Sequence, residues 1–352
     1  MDEKTPSRSR RNLLVTMGLG GAAMAAGPAT AADKKNPLVP AGGTPVHAQE
    51  FWTEKNGVKL WVYRKYTSSP GEKRPILFLV HGSSYSGKTM FDLHVPDRVD
   101  YSMMDHFARR GFDVWTMDHE GYGHSDRTKG YSDIASGVED LKAAMGVIIK
   151  ASGQTQAAFF GQSSGALRAA RFANVHPEHV TKLMLDAVVW TGKGSPTLAK
   201  RKLMLPQLEA SNVRKVDHEF YASVFTRDEP GAAEPMMGNV VADEELKYGN
   251  TVPNGTYRDM VVNLPVCDPD KILCPVLIIR AEHDGIATDE DVMGFFGRLP
   301  NADKQMTKIG GLAHTALLGI NRHRFYHTVY GFLSMPERIA LGGKPAGAPA
   351  HS

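Results

Sequence analysis

The stretch FFGQSSGALRAAR, residues 159–171, decides the fold. It leaves an apolar run, AAFFG (157–161), and enters a helix-like pattern across Gly-x-Ser-x-Gly. This is a strand-to-helix turn at the carboxyl end of a strand, where open parallel sheets place their sites. Two serines share the turn. A nucleophile on so sharp a turn sits in strained backbone, and the residues two before and two after it crowd each other, so both must be small. For Ser163 these are Gly161 and Gly165; for Ser164 they are Gln162 and Ala166. The steric test selects Ser163 and leaves the backbone N–H of Ser164, at the helix start, to a developing oxyanion.

Outward from the turn, apolar runs alternate with helical patterns. Upstream, Asn56-Gly57 separates FWTEK from VKLWVYRKY, a strong hairpin signal. ILFLV (76–80) has the continuous apolar character of a strand buried on both faces. A helical segment (102–110) leads to FDVWTMD (112–118), and another (137–151) leads to AAFFG. Downstream come VTKLMLDAVV (180–189), VLIIRAEHD (276–284), a helix near 288–298, KQMTKIG (304–310) and a final helix around 321–334. This rhythm predicts an α/β fold, a mostly parallel sheet flanked by helices, with the opening hairpin antiparallel at its edge. Residues 190–268 break the rhythm with charged, helix-like pieces, and an inserted helical lid accounts for them. The expected organisation is an export signal (1–31), a lead-in (32–55), a core in two parts (56–189 and 269–337) around the lid (190–268), and a disordered tail (338–352).

Three motifs in this order resemble the α/β-hydrolase family over about residues 56–335. Gly161-Gln162-Ser163-Ser164-Gly165 matches its nucleophile elbow. His81-Gly82-Ser83, directly after ILFLV, matches its His-Gly oxyanion loop, and Asp118-His119-Glu120-Gly121-Tyr122-Gly123-His124-Ser125 its Asp-x-x-Gly-x-Gly-x-Ser turn. The resemblance implies a serine, then an acid, then a histidine along the chain. Asp284 ends VLIIRAEHD, and His314 follows in the loop GGLAHTALL, both at the sheet edge that carries Ser163. Ala281 and Ala313 stand where the family commonly has glycine. The implied chemistry is acyl transfer: Ser163 attacks, His314 takes its proton, Asp284 fixes the imidazole, and the N–H groups of Ser83 and Ser164 hold the oxyanion. No cofactor or metal is required.

Alternatives stand beside each assignment. Asp186, ending the preceding strand, is a second site for the acid in this fold. His323 and His327 are spaced i, i+4 on a helix but lack a third metal ligand nearby. His81 is read as bracing its loop, and the side chain of His283 as pointing away from Asp284. A serine at the elbow argues against dehalogenases and epoxide hydrolases, which use aspartate there. The loop HGSSYSG lacks the His-Gly-Gly-Pro-Gly of prolyl aminopeptidases and the His-Gly-Gly-Gly of one esterase class. A small-molecule carboxylic ester is the favoured substrate, with lactone or amide hydrolysis next. A non-catalytic exported binding protein is the contrasting class. Trp190, Met204, Phe220, Tyr221, Phe225, Met236 and Met237 line an acyl pocket or simply pack the lid. Lys193, Lys200, Arg201 and Lys202 attract an acidic substrate or form a solvated face.

Composition sets the remaining bounds. With 42% apolar and 22% charged residues, the 352-residue chain is ordinary for a globular protein. Two of the three excess positive charges fall within residues 1–31, so the body offers no electrostatic case for a nucleic acid or an anionic membrane surface. The leading segment has a basic start and a Gly/Ala-rich apolar run from Leu13 to Gly27. That run is shorter than the ~20 residues needed to span a bilayer. Ser9-Arg10-Arg11-Asn12-Leu13-Leu14 resembles the twin-arginine export signal, and Ala29-Thr30-Ala31 a cleavage site, so a periplasmic or secreted location without a stable membrane anchor is expected. Cys267 and Cys274 are spaced to close a short disulfide loop in such a compartment or to serve as small buried hydrophobes; spacing alone does not choose.

Overall fold

The computed structural model describes residues 45–67 and 72–339. The export signal, the start of the lead-in and nearly all of the tail lie outside the described residues. In chain order the elements are β1 (His47–Lys55), β2 (Val58–Tyr66), β3 (Ile76–Val80), α1 (Gly87–Phe91), α2 (Met103–Ala108), β4 (Asp113–Met117), α3 (Ile134–Ser152), β5 (Ala157–Gln162), α4 (Ser164–Val175) and β6 (Val180–Asp186). The insertion follows with α5 (Pro196–Lys202), α6 (Leu205–Ala210), β7 (Val213–Lys215), α7 (His218–Thr226), α8 (Met237–Glu245), β8 (Thr251–Pro253) and α9 (Gly255–Val262). The rhythm then resumes with β9 (Val276–Ala281), α10 (Asp289–Arg298), β10 (Lys304–Ile309) and α11 (Arg322–Leu333).

Eight strands form one sheet in the order β1-β2-β4-β3-β5-β6-β9-β10. Pairing is parallel from β4 to β10 and antiparallel for β1–β2 and β2–β4. The hairpin turns at Asn56 and Gly57, both with positive φ (50° and 84°), the conformation an Asn-Gly loop supplies. Strand β1 begins at His47, so the boundary expected at residue 55 is corrected: the end of the lead-in is an edge strand of the core.

The pleat divides the core in two. Leu77 and Leu79 of β3 enter the layer that holds Phe107 and Phe325; Ile76, Phe78 and Val80 enter the layer that holds Leu141, Ala166 and Phe172. Burial on both faces is why the run reads as continuously apolar. Helix α3 starts where Asp133 accepts from the Ser136 N–H (2.7 Å), a cap that contributes about 1 kcal/mol, and stops at Gly153 with φ +68°.

The insertion holds five short helices, as the sequence suggests, together with an unforeseen ribbon of β7 and β8. Its apolar side chains go to packing: Tyr221, Phe225 and Met237 are buried, Phe220 and Met236 lie against the same core layer, and Trp190 and Met204 lie against the other. Cys267 and Cys274 are free thiols, which corrects the possible disulfide. They border separate surface hollows, Cys267 beside Arg171 and Pro269 and Cys274 beside Ala173 and Pro177. Burial pushes both thiols up to about 12, as expected of small buried hydrophobes.

Candidate active site

Ser163 caps β5 with φ +56° and ψ −120°, a conformation that costs energy for any residue with a Cβ. The glycines around it explain how the turn closes. A Cβ on Gly161 would lie against the carbonyl of Gly165, and one on Gly165 against the carbonyl of Val80, both inside van der Waals contact. Gly82 is required in the same way, because a Cβ there would meet Gln162 Oε1 at 2.6 Å. Ser164 is fully buried as the first residue of α4, and its hydroxyl is occupied by Ser83 Oγ at 2.8 Å. Ser163 is 6% exposed, and no hydrogen bond to its hydroxyl is formed among the described residues.

The histidine and the acid arrive from neighbouring strands. The N–H of His283 donates to the carbonyl of Leu312 (3.0 Å), tying the loop after β9 to the loop after β10. His314 Nδ1 then lies 2.9 Å from Asp284 Oδ1, which also accepts from the Ile286 N–H (2.9 Å). Burial alone would raise the Asp284 carboxyl, but His314, the Ile286 N–H and Arg227 hold it below the usual range. Gln162 Nε2 donates to the carbonyl of His314 (3.1 Å), so the histidine loop is fastened to the elbow itself. The sequence offered no motif for that contact.

Asp186 behaves differently. Its carbonyl accepts the Ser163 N–H (2.8 Å), whereas both of its carboxyl oxygens are buried without a partner. Burial, and next the charge of Asp284, push its pKa well up. The structure brings Asp284, not Asp186, to the imidazole.

The N–H groups of Ser83 and Ser164 make no hydrogen bond among the described residues, and both flank the elbow. Ser83 Oγ links Ser164 Oγ to Thr256 Oγ1 (2.6 Å) at the start of α9. The loop beyond is anchored by buried carboxylates: Asp118 accepts from the Gly87 N–H (2.7 Å), and Glu245 of α8 accepts from the Ser86 N–H and hydroxyl (2.7 Å each). His81 braces its loop as expected, its Nδ1 2.8 Å from the Gly82 carbonyl and its Nε2 accepting from the His119 N–H (3.0 Å). His283 turns outward to Glu229 and Glu282. Among the described residues no cluster of three or more His, Cys, Asp or Glu side chains is placed to hold a metal, and no helix is long and apolar enough to cross a membrane.

A nucleophile-elbow turn and an Asp–His pair at the carboxyl ends of a mostly parallel sheet define an α/β-hydrolase. Residues 72–319 match the family model described as serine aminopeptidase, S33, and the chain belongs to that family. Among solved structures it is similar to epoxide hydrolase VrEH1 from Vigna radiata (16% identity, 81% of this chain and 97% of that one, TM-score 0.60). It is also similar to the enol-lactonase from Burkholderia xenovorans LB400 (18%, 81% and 100%, 0.56) and to E-2-(acetamidomethylene)succinate hydrolase (16%, 82% and 100%, 0.60). At such identities these likenesses concern the fold. No curated protein matches the chain in sequence.

Proposed function

We propose that the protein is a serine hydrolase that cleaves a carboxylic ester through an acyl-enzyme. Ser163 Oγ attacks the carbonyl carbon while His314 Nε2 accepts its proton; Asp284 keeps the Nδ1 proton in place and stabilises the imidazolium. The N–H groups of Ser83 and Ser164 receive the charge that develops on the carbonyl oxygen. The alcohol leaves with the proton from His314. Water, deprotonated by the same imidazole, then releases the acid.

The observation that carries this reading is the 2.9 Å Asp284–His314 contact on a loop fastened by Gln162 to the strained elbow. A fluorophosphonate probe labels the folded wild type and fails to label Ser163→Ala. A folded wild type that resists the probe points instead to a binding protein on a hydrolase fold. Amide hydrolysis is the second reading, favoured by the serine aminopeptidase family, and aminoacyl anilides test it beside esters. The insertion acts as a lid, on this reading, because α9 and α8 fasten to Ser83 and Ser86 of the oxyanion loop. Export through the Arg10-Arg11 signal to the periplasm or beyond belongs to the same proposal, and cell fractionation of an Arg10→Lys, Arg11→Lys variant tests it.

A further inference from the structure

The insertion gathers more positive charge beside the oxyanion loop than packing requires. Arg201 (α5) and Arg214 (β7) each place Cζ 3.8 Å from the ring centroid of Tyr257 (α9). Both guanidiniums therefore stack on the Tyr257 ring. Arg227, after α7, is the third cation acting on the same phenol.

Few carboxylates answer them. Arg227 pairs with Asp228 (3.2 Å). Arg214 donates to the Pro253 carbonyl (2.6 Å), to Ser84 Oγ and, at 3.5 Å, to Asn254 Oδ1, and its buried Nε has no partner among the described residues. Arg201 is 6% exposed, makes a weak contact to Met260 Sδ (3.7 Å) and forms no ion pair among the described residues. Asp284 is within electrostatic range of Arg201 and Arg227, but its hydrogen bonds go to His314 and Ile286. A purely structural arginine ordinarily finds a carboxylate or several carbonyls, as Arg64 does with Asp113 (2.7 Å). A buried guanidinium left without one favours an anion from outside.

The location ties this charge to the reaction. Ser84, with φ +77°, is strained and held by Arg214 and by the Tyr221 hydroxyl, which donates to its carbonyl (2.9 Å). Ser84 follows Ser83, and Tyr257 follows Thr256, the two residues joined at 2.6 Å.

We propose that Arg201 and Arg214, stacked on Tyr257, form a subsite for a carboxylate carried by the acyl part of the substrate. This deepens, and rests on, the serine-hydrolase reading. The subsite selects half-esters of dicarboxylic acids or their lactone equivalents, and it disfavours substrates with a free amino terminus, whose charge the arginines repel.

The test compares mono-p-nitrophenyl esters of dicarboxylic acids of increasing length with their methyl-capped neutral counterparts at matched ionic strength. For the best length, the wild type prefers the anionic ester in kcat/KM by roughly ten- to hundredfold, the scale of a charge-assisted contact. Arg201→Gln brings that ratio close to one. Partial misfolding of the variant cancels, because the ratio comes from two substrates on one preparation. Equal kcat/KM for both esters in a wild type that the fluorophosphonate labels overturns the subsite and leaves the hydrolase standing. If the wild type is not labelled, calorimetry decides the subsite separately. Glutarate binding that dimethyl glutarate does not reproduce, and that Arg201→Gln abolishes, supports it; absence of glutarate binding overturns it.

Discussion

The rim of the sheet and the insertion above it bring charged groups together by different means. At the rim, Ser163, Asp284 and His314 follow β5, β9 and β10, and backbone hydrogen bonds such as His283 to Leu312 set where each loop goes. In the insertion, Arg201, Arg214 and Tyr257 come from three short pieces and meet through side-chain packing, with Arg227 within electrostatic range of the same phenol. Geometry fixed by backbone serves reacting atoms, which tolerate little displacement. Charge assembled from side chains serves selectivity, which falls off more gently with distance.

The largest expected effect is at the rim. Asp284→Asn keeps the shape but loses control of the imidazole tautomer, and kcat falls roughly 10⁴-fold. Asp186→Asn changes a carboxyl that makes no contact with the imidazole and costs less than about tenfold. Steady-state kinetics on the two purified variants separates them, and a reversed order moves the orienting role from β9 to β6.

A smaller effect belongs to the insertion. Burial would raise the phenol of Tyr257, but Arg201, Arg214 and Arg227 overcome it and bring the group down to about 7. Above that pH a phenolate lies against the guanidiniums and cancels part of their charge. The preference for an anionic over a neutral ester therefore declines roughly three- to tenfold between pH 6 and pH 8.5, while any change in rate common to both esters cancels from the ratio. Tyr257→Phe keeps the ring and removes the decline. Phenolate absorbance that shows no tyrosine titrating near neutrality in the wild type contradicts the assignment.

The same division governs what a reader of the sequence sees. The elbow was legible because Gly161 and Gly165 are required by sterics at fixed offsets from Ser163, and the strands because two-sided burial leaves continuous apolar runs. Asp284 and His314 followed from the serine–acid–histidine order that the family resemblance implies, with both residues just past strands at the edge that carries Ser163. The sequence favoured Asp284 but kept Asp186 as an alternative, since both aspartates lie at the ends of neighbouring strands; hydrogen bonding to the imidazole tells them apart. Of the arginine cluster only Arg201 left a trace, within a basic run read as attracting an acidic substrate or as a solvated face. Arg201 lies in Lys200-Arg201-Lys202, which resembles a solvated face, and only the rotation of α5 turns the middle residue inward. The Cys267–Cys274 spacing offered a bridge that the packing does not make.

The smallest effect tests the joint between the two regions. Glu245 of α8 is the carboxylate that grips Ser86, the cap of α1 on the oxyanion loop. Burial raises it to about 7 even though the Ser86 N–H, Thr89 and the Ser86 hydroxyl favour its ionised form. A carboxyl raised on folding binds its proton more tightly in the native state. Below the ordinary value near 4.5 the group is protonated in both states and costs nothing; the cost grows as pH rises to about 7 and is complete above it. The wild type therefore loses roughly 3 kcal/mol of stability across that window through this one group. Glu245→Gln keeps a carbonyl for the Ser86 N–H and carries no such term. Any fixed difference in packing between Gln and Glu is the same at every pH, so the informative quantity is the change in the gap between the two proteins. Denaturant melts of both at pH 5 and pH 8 should show the gap moving toward the glutamine variant. Parallel curves mean that Glu245 is already ionised at pH 5, and that the insertion grips the loop as a charge rather than as a neutral acid.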